Sequence, residues 1–218
     1  MTRVINFGEQ VDGYLIPVLN EREIRAAAGI MFVLMLISFM NMVLVQNFTL
    51  LKYSVSVFML DFVIRVFVNP KYSPTLIFGR IIVRKQAPEY VGAPQKKFAW
   101  VIGVVLSVVF FMMTVVMNTC SPITNLICML CMVFLFFESA FGICLGCKLY
   151  PLFFRAPVQL CAGDVCETKV IQEINKISCA QRLVIFLFVM YVALMIVFLN
   201  ENFSQPPIDI FGVTNPAN

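Results

Sequence analysis

The 218-residue sequence contains no histidine, one tryptophan and few charged residues. The absence of histidine excludes bis-histidine haem ligation and histidine-based acid–base catalysis. Neither a phosphate-binding loop, a dinucleotide fingerprint, a metalloprotease pair nor a nucleophile elbow occurs in the chain. The net charge of +4 is modest, so nothing in the composition indicates a nucleic-acid partner.

Hydrophobic residues, in contrast, make up 61% of the chain, and the mean hydropathy is +0.90. Helices of about twenty apolar residues are long enough to cross about 30 Å of hydrocarbon. The sequence therefore predicts an all-α fold, a polytopic membrane bundle of about five transmembrane helices plus interfacial helices. The apolar runs cover residues 26–46, 48–68, 98–118, 123–146 and 183–200.

The domain organisation follows from these runs. Residues 26–200 form a single transmembrane bundle, preceded by a cytoplasmic or interfacial segment, 1–25, and followed by a tail, 201–218. Asn20 begins a capping pattern that predicts the start of the first helix. Residues 75–85 place two arginines on one side of a helix, which predicts an interfacial helix.

The distribution of lysine and arginine predicts the orientation of the bundle. Nearly all of these residues precede the first run or lie in two loops, 69–97 and 147–182. Basic residues near a membrane span favour the cytoplasmic side. We therefore expect the N-terminus and both basic loops in the cytoplasm, and the C-terminus outside.

Cys144 and Cys147 are the clearest candidates for chemistry, and the sequence leaves three interpretations open. As a redox or sulfur-accepting pair, they would cycle between dithiol and disulfide, and the charge of Lys148 would favour a thiolate. Their predicted place at the C-terminal end of the fourth span argues against this, because a helix dipole disfavours an anion there.

The second interpretation is a metal site, and the third is packing. Cys144, Cys147, Cys161 and Cys166 offer four sulfurs for zinc or an iron–sulfur cluster. Cysteine also packs as a small apolar side chain, which is the interpretation we favour for Cys128, Cys131 and Cys179. Along one continuous helix Cys131 and Cys144 would lie about 20 Å apart, which excludes direct thiol exchange between them.

Of the charged residues within the predicted spans, Asp61, Arg65 and Glu138 are the candidates for a substrate or ion path. Asp61 and Arg65 are one helical turn apart, either in a structural ion pair or on such a path. Glu138 has no partner on its own helix, and Arg65 or Lys52 is the expected counter-ion. A carboxylate that lined a cavity at this depth would favour transport.

Three segments carry a family resemblance: DFVIRVFVNPKYSPT (61–75), PEYVGAPQKKFA (88–99) and GICLGCKLY (142–150). They resemble a family of bacterial inner-membrane proteins defined as domain of unknown function 4395, with its closing Gly-x-Cys-x-Gly-Cys-x-x-Tyr signature. The resemblance runs from about Phe7 to Tyr150. It implies a multi-pass protein of the bacterial inner membrane, without an established activity, and an association of some members with thiol-redox or sulfur-transfer proteins.

These observations favour thiol-redox or sulfur handling at the cytoplasmic face, with the lipid bilayer and a soluble thiol-redox or sulfur-transfer protein as partners. No cofactor is required for this chemistry. Two alternatives stay open: a small transporter or channel for a sulfur compound or an anion, and a structural or assembly subunit.

Overall fold

The computed structural model describes residues 7–9, 17–154 and 177–209, and within these ranges the chain is almost entirely helical. The helices are α1 (Glu21–Val45), α2 (Thr49–Val63), α3 (Pro74–Val83), α4 (Ala93–Phe111), α5 (Pro122–Phe136), α6 (Leu145–Phe154) and α7 (Cys179–Ser204). A short 3-10 helix, Pro70–Tyr72, precedes α3. Helices α2, α4 and α5 each continue directly into a π-helical turn: Ile64–Val68, Met112–Val116 and Phe137–Phe141.

Four helical segments are long and apolar enough to cross a membrane, which confirms the all-α membrane bundle. They are Glu21–Val45, Ala93–Val116, Pro122–Phe141 and Cys179–Ser204. The remaining predicted run, 48–68, is also helical, over α2 and its π-helical turn. It carries Lys52, Asp61 and Arg65, all of which are buried inside the bundle. Since charges in hydrocarbon are costly, these side chains face protein rather than lipid.

Two short sheets mark the two ends of the bundle. Strand β1 (Val18–Asn20) pairs antiparallel with β2 (Tyr90–Gly92), at the end where α1 begins. Strand β3 (Thr119–Cys120) pairs parallel with β4 (Ile208–Asp209), at the other end. We call the end that carries β1, β2, α3 and α6 the N-terminal face. Strands of two or three residues are too short to show a period in the sequence.

The chain enters α1 through the predicted cap. The Asn20 side chain accepts a hydrogen bond from the Arg22 backbone amide at 3.2 Å, and the helix begins at Glu21, as the capping pattern predicts and before the apolar run that starts at residue 26. Helix α3 packs against this first part of α1, where a Cβ at Gly79 would lie only 2.5 Å from the Glu23 carbonyl oxygen. Arg80 of α3 is turned inward and forms a buried ion pair with Glu23, with Nη2 and Oε2 3.0 Å apart.

Candidate functional site

The fourth span does not run through to the cysteine pair. It ends at Phe141, and Gly142 follows with φ of 65°, a left-handed conformation that glycine adopts without a steric penalty. Helix α6 then begins at Leu145. Cys144 therefore occupies the N-cap position of α6 and Cys147 its third position, so the prediction that the pair ends a helix is wrong.

Backbone hydrogen bonds define this new helix start. The Cys147 amide donates to the Cys144 Sγ at 3.3 Å, as an N3 amide does to an N-cap side chain. The Lys148 amide donates to the Cys144 carbonyl at 3.2 Å, which is the first bond of α6. The helix dipole at an N-terminus favours an anion, so the electrostatic objection to a reactive pair no longer applies.

Other contacts keep the Cys144 thiol protonated at rest. A hydrogen bond with the Cys147 side chain raises the pKa of the Cys144 thiol, and burial and the nearby Glu138 carboxylate raise it further. The Lys96 ammonium acts in the opposite direction. A thiol with a raised pKa must lose its proton before it can attack another sulfur.

The two sulfurs differ in accessibility. Cys144 is partly exposed, whereas Cys147 is buried and its thiol lies 3.7 Å from the Gln95 carbonyl of α4. Gly146 allows this close packing, because a Cβ at that position would lie 2.7 Å from the Ala99 Cβ. The pair thus consists of one partly exposed cysteine and one buried cysteine.

Lys96 is the counter-ion of Glu138, and the prediction of Arg65 or Lys52 for this role is wrong. The Lys96 Nζ lies 2.7 Å from the Glu138 Oε1 and 2.9 Å from the Glu21 Oε2, and its side chain is only 1% exposed. In the sequence, Lys96 falls within the predicted basic loop 69–97. Pro94, in the first turn of α4, is the signal that could have placed it on a helix.

A cavity of about 40 Å³ lies between α2, α4, α5 and α6, and residues from both the cysteine pair and the Lys96–Glu138 ion pair line it. Glu138, Cys144, Cys131 and Trp100 line it, and most of the other lining side chains are apolar. Its volume is about that of one or two water molecules. Because the chain breaks after Phe141, Cys131 and Cys144 line the same cavity, although a continuous helix would have kept them far apart.

Asp61 and Arg65 form a closed network behind this cavity and do not line it. The Arg65 Nε donates to the Asp61 Oδ2 at 2.7 Å, and the other Asp61 bonds come from Ser73 and from the Thr75 amide and hydroxyl. The Arg65 guanidinium also lies over the Trp100 ring, 5.4 Å from its centre. This geometry is that of a structural ion pair, which was one of the two predicted roles.

The predicted four-sulfur metal site is only partly described. Cys161 and Cys166 lie outside the described residues, and in the described ranges no group of three or more cysteine, aspartate or glutamate side chains is placed to hold a metal ion. Cys128 and Cys131 are buried in α5, as packing predicts, whereas Cys179 is exposed at the start of α7. Within the described residues no disulfide bond involves Cys120, Cys128, Cys131, Cys144, Cys147 or Cys179.

The model of the domain of unknown function DUF4395 matches residues 19–155, which is more than half of the chain. The chain belongs to this family. The DUF4395 match spans α1 to α6 and contains the cysteine pair, Lys96 and Glu138. Comparison with curated proteins and with solved structures gave no match.

Proposed function

We propose that this membrane protein exchanges electrons or sulfane sulfur with a soluble thiol partner through Cys144 and Cys147. The observation that carries the proposal is the position of the pair at the N-terminus of α6, where the Cys147 amide donates to the Cys144 Sγ. Helix N-termini favour the thiolate that thiol exchange requires.

The difference in exposure assigns a role to each sulfur. The Cys144 thiolate attacks a disulfide of the partner, which forms a mixed disulfide and releases one partner sulfur as a thiol. Cys147 then attacks the Cys144 Sγ, which releases the second partner thiol and leaves a Cys144–Cys147 disulfide. A sulfane sulfur would pass similarly from a partner persulfide to Cys144, with the partner thiol as the leaving group.

We place this exchange at the cytoplasmic face of a bacterial inner membrane, with the N-terminus inside and the C-terminus outside. Six acidic side chains of the described N-terminal face are all engaged in ion pairs. Lysines are exposed on the same face, which supports a cytoplasmic location: Lys71, Lys85, Lys97 and Lys148.

A redox titration of the purified protein tests the proposal. The protein is equilibrated in dithiothreitol buffers of graded redox state, and its free thiols are counted by maleimide labelling and mass spectrometry. We expect a two-electron transition that is lost in Cys144→Ser and in Cys147→Ser. The matched controls are Cys128→Ser and Cys131→Ser, which remove a buried pair of the same spacing. For the sulfur-transfer branch, mass spectrometry after incubation with a persulfide donor should show added sulfur on Cys144. A protein that shows neither reaction would refute the proposal.

Transport has less support from the geometry. Asp61 and Arg65 bind each other and their neighbours, and the cavity beside Glu138 measures only about 40 Å³. A transporter would lose uptake in Glu138→Gln and keep it in Cys144→Ser. The thiol proposal instead expects Cys144→Ser to abolish the activity of the protein.

A further inference from the structure

Thiol exchange at Cys144 requires a group that accepts the thiol proton. The thiolate is the nucleophile, and the Cys144 thiol is protonated at rest. Since the chain has no histidine, the next most common side chain that accepts a proton in such reactions is a carboxylate. Among the carboxylates of the described residues, only Glu138 lines the cavity that Cys144 also lines.

The contacts of Glu138 leave one oxygen available. Its Oε1 lies 2.7 Å from the Lys96 Nζ, whereas its Oε2 has no hydrogen bond or ion pair with any described residue. Because Lys96 donates to the Oε1, the Oε2 is the oxygen that remains for a further hydrogen bond.

A second, independent observation points to a polar occupant of the cavity. Trp100 lines the cavity and is 2% exposed, and its indole Nε1 has no hydrogen-bond partner within the described part of the chain. Buried indole N–H groups normally find an acceptor. A cavity of about 40 Å³ has room for a water molecule that accepts from this indole.

We propose that Glu138 is the proton acceptor for Cys144 and that a cavity water carries the proton between them. This inference rests on the proposed thiol exchange. The proton leaves the Cys144 Sγ and reaches the Glu138 Oε2, and the sulfur keeps the electron pair. The thiolate forms a bond to one partner sulfur, the partner S–S bond breaks, and the departing partner thiolate takes the proton.

The titratable and charged groups around Glu138 on the packed elements are Lys96 of α4, Glu21 and Arg25 of α1, Cys131 of α5, Cys144 before α6 and Cys147 of α6.

Glu21 provides a matched control. Its carboxylate binds the same Lys96 ammonium, at 2.9 Å, but it does not line the cavity. Glu138→Gln and Glu21→Gln each remove one negative charge next to Lys96, and only Glu138→Gln removes the acceptor. Glu138→Asp keeps a carboxylate and serves where the glutamine variant fails to fold.

The experiment measures the rate at which Cys144 reacts with dithiodipyridine, a neutral disulfide whose own charge does not bias the comparison. Quenched samples of the full-length protein are analysed by mass spectrometry for the adduct on the Cys144 peptide, across a range of pH. We expect Glu138→Gln to slow this reaction at least about tenfold at neutral pH. The difference should shrink at alkaline pH, where hydroxide removes the proton, and Glu21→Gln should stay within about twofold of the wild type.

The opposite sign would overturn the inference. If Glu138 acted only through its charge, its removal would lower the pKa of Cys144 and speed the reaction. An unchanged rate in Glu138→Gln, or an equal loss in Glu21→Gln, would also refute it. Both results presuppose a wild-type Cys144 that reacts, so they are distinct from failure of the proposed function, in which the wild type shows no exchange.

Discussion

Asp61→Asn is expected to destabilise the bundle strongly because it leaves a buried cation without its counter-ion. Asp61 is 0% exposed, and its carboxylate accepts bonds of 2.7 to 3.0 Å from Arg65, Ser73 and Thr75. Asparagine has nearly the same shape but no charge, and its amide group donates where the carboxylate accepted. Arg65, only 3% exposed, would then be uncompensated.

The magnitude follows from the burial of both partners. Removing one partner of a buried ion pair costs about 3–5 kcal/mol of unfolding free energy. Removing both charges together, as in Asp61→Leu with Arg65→Met, leaves no unpaired ion and should cost less than the sum of the two single changes. The expected coupling energy between the two positions is about 0.5–3 kcal/mol.

Reversible unfolding in mixed detergent micelles, followed by far-UV circular dichroism, measures these free energies. Glu201→Gln is the control, because Glu201 is exposed near the C-terminal end of α7. Its unfolding free energy should stay within about 0.5 kcal/mol of the wild-type value. A loss below about 1 kcal/mol in Asp61→Asn would refute the assignment of a structural ion pair. So would additive effects in the double variant.

Three further predictions concern the cysteine pair and its helix. Gly146→Val should cost about 1–3 kcal/mol and increase maleimide labelling of Cys147, since a side chain there meets Ala99; unchanged stability and labelling would contradict this. Gly142→Ala should destabilise the turn by about 1–2 kcal/mol, measured by the same unfolding assay, because its φ is 65°; a neutral effect would argue against the turn. Iodoacetamide should alkylate Cys144 slowly at neutral pH and faster as the pH rises, because its pKa is raised and the thiolate appears only at higher pH; a rate that is already constant at neutral pH would contradict the raised pKa.

Composition was sufficient to predict the spans but not where the fourth one ends. The predicted run 123–146 continues past Phe141 because Ile143 and Leu145 are as apolar as the residues before them. The helix break depends on the left-handed conformation of Gly142, and a single glycine changes the mean hydropathy of a long apolar run only slightly. One missed turn thus reversed the electrostatic argument about the cysteine pair.

Ion-pair partners were harder to predict than the charged residues themselves. Asp61 and Arg65 were paired correctly because they are one turn apart on a single helix, which fixes their relative position. Lys96 and Glu138 are 42 residues apart. Their contact depends on the depth and rotation of two different helices, and periodicity within each helix specifies neither.

The distribution of the charged network separates α7 from the rest of the bundle. Among the described residues, every ion pair joins side chains located before α6, and none involves α7. Only 6% of the most apolar 18-residue stretch of α7 is buried inside the protein. The helix packs on α2 and α3, away from the cysteine pair. The family match ends at residue 155, before α7 begins. Among the described helices, the candidate site is therefore built by α1 to α6 and not by α7. Changes on the exposed surface of α7 should leave the reactivity of Cys144 unaltered.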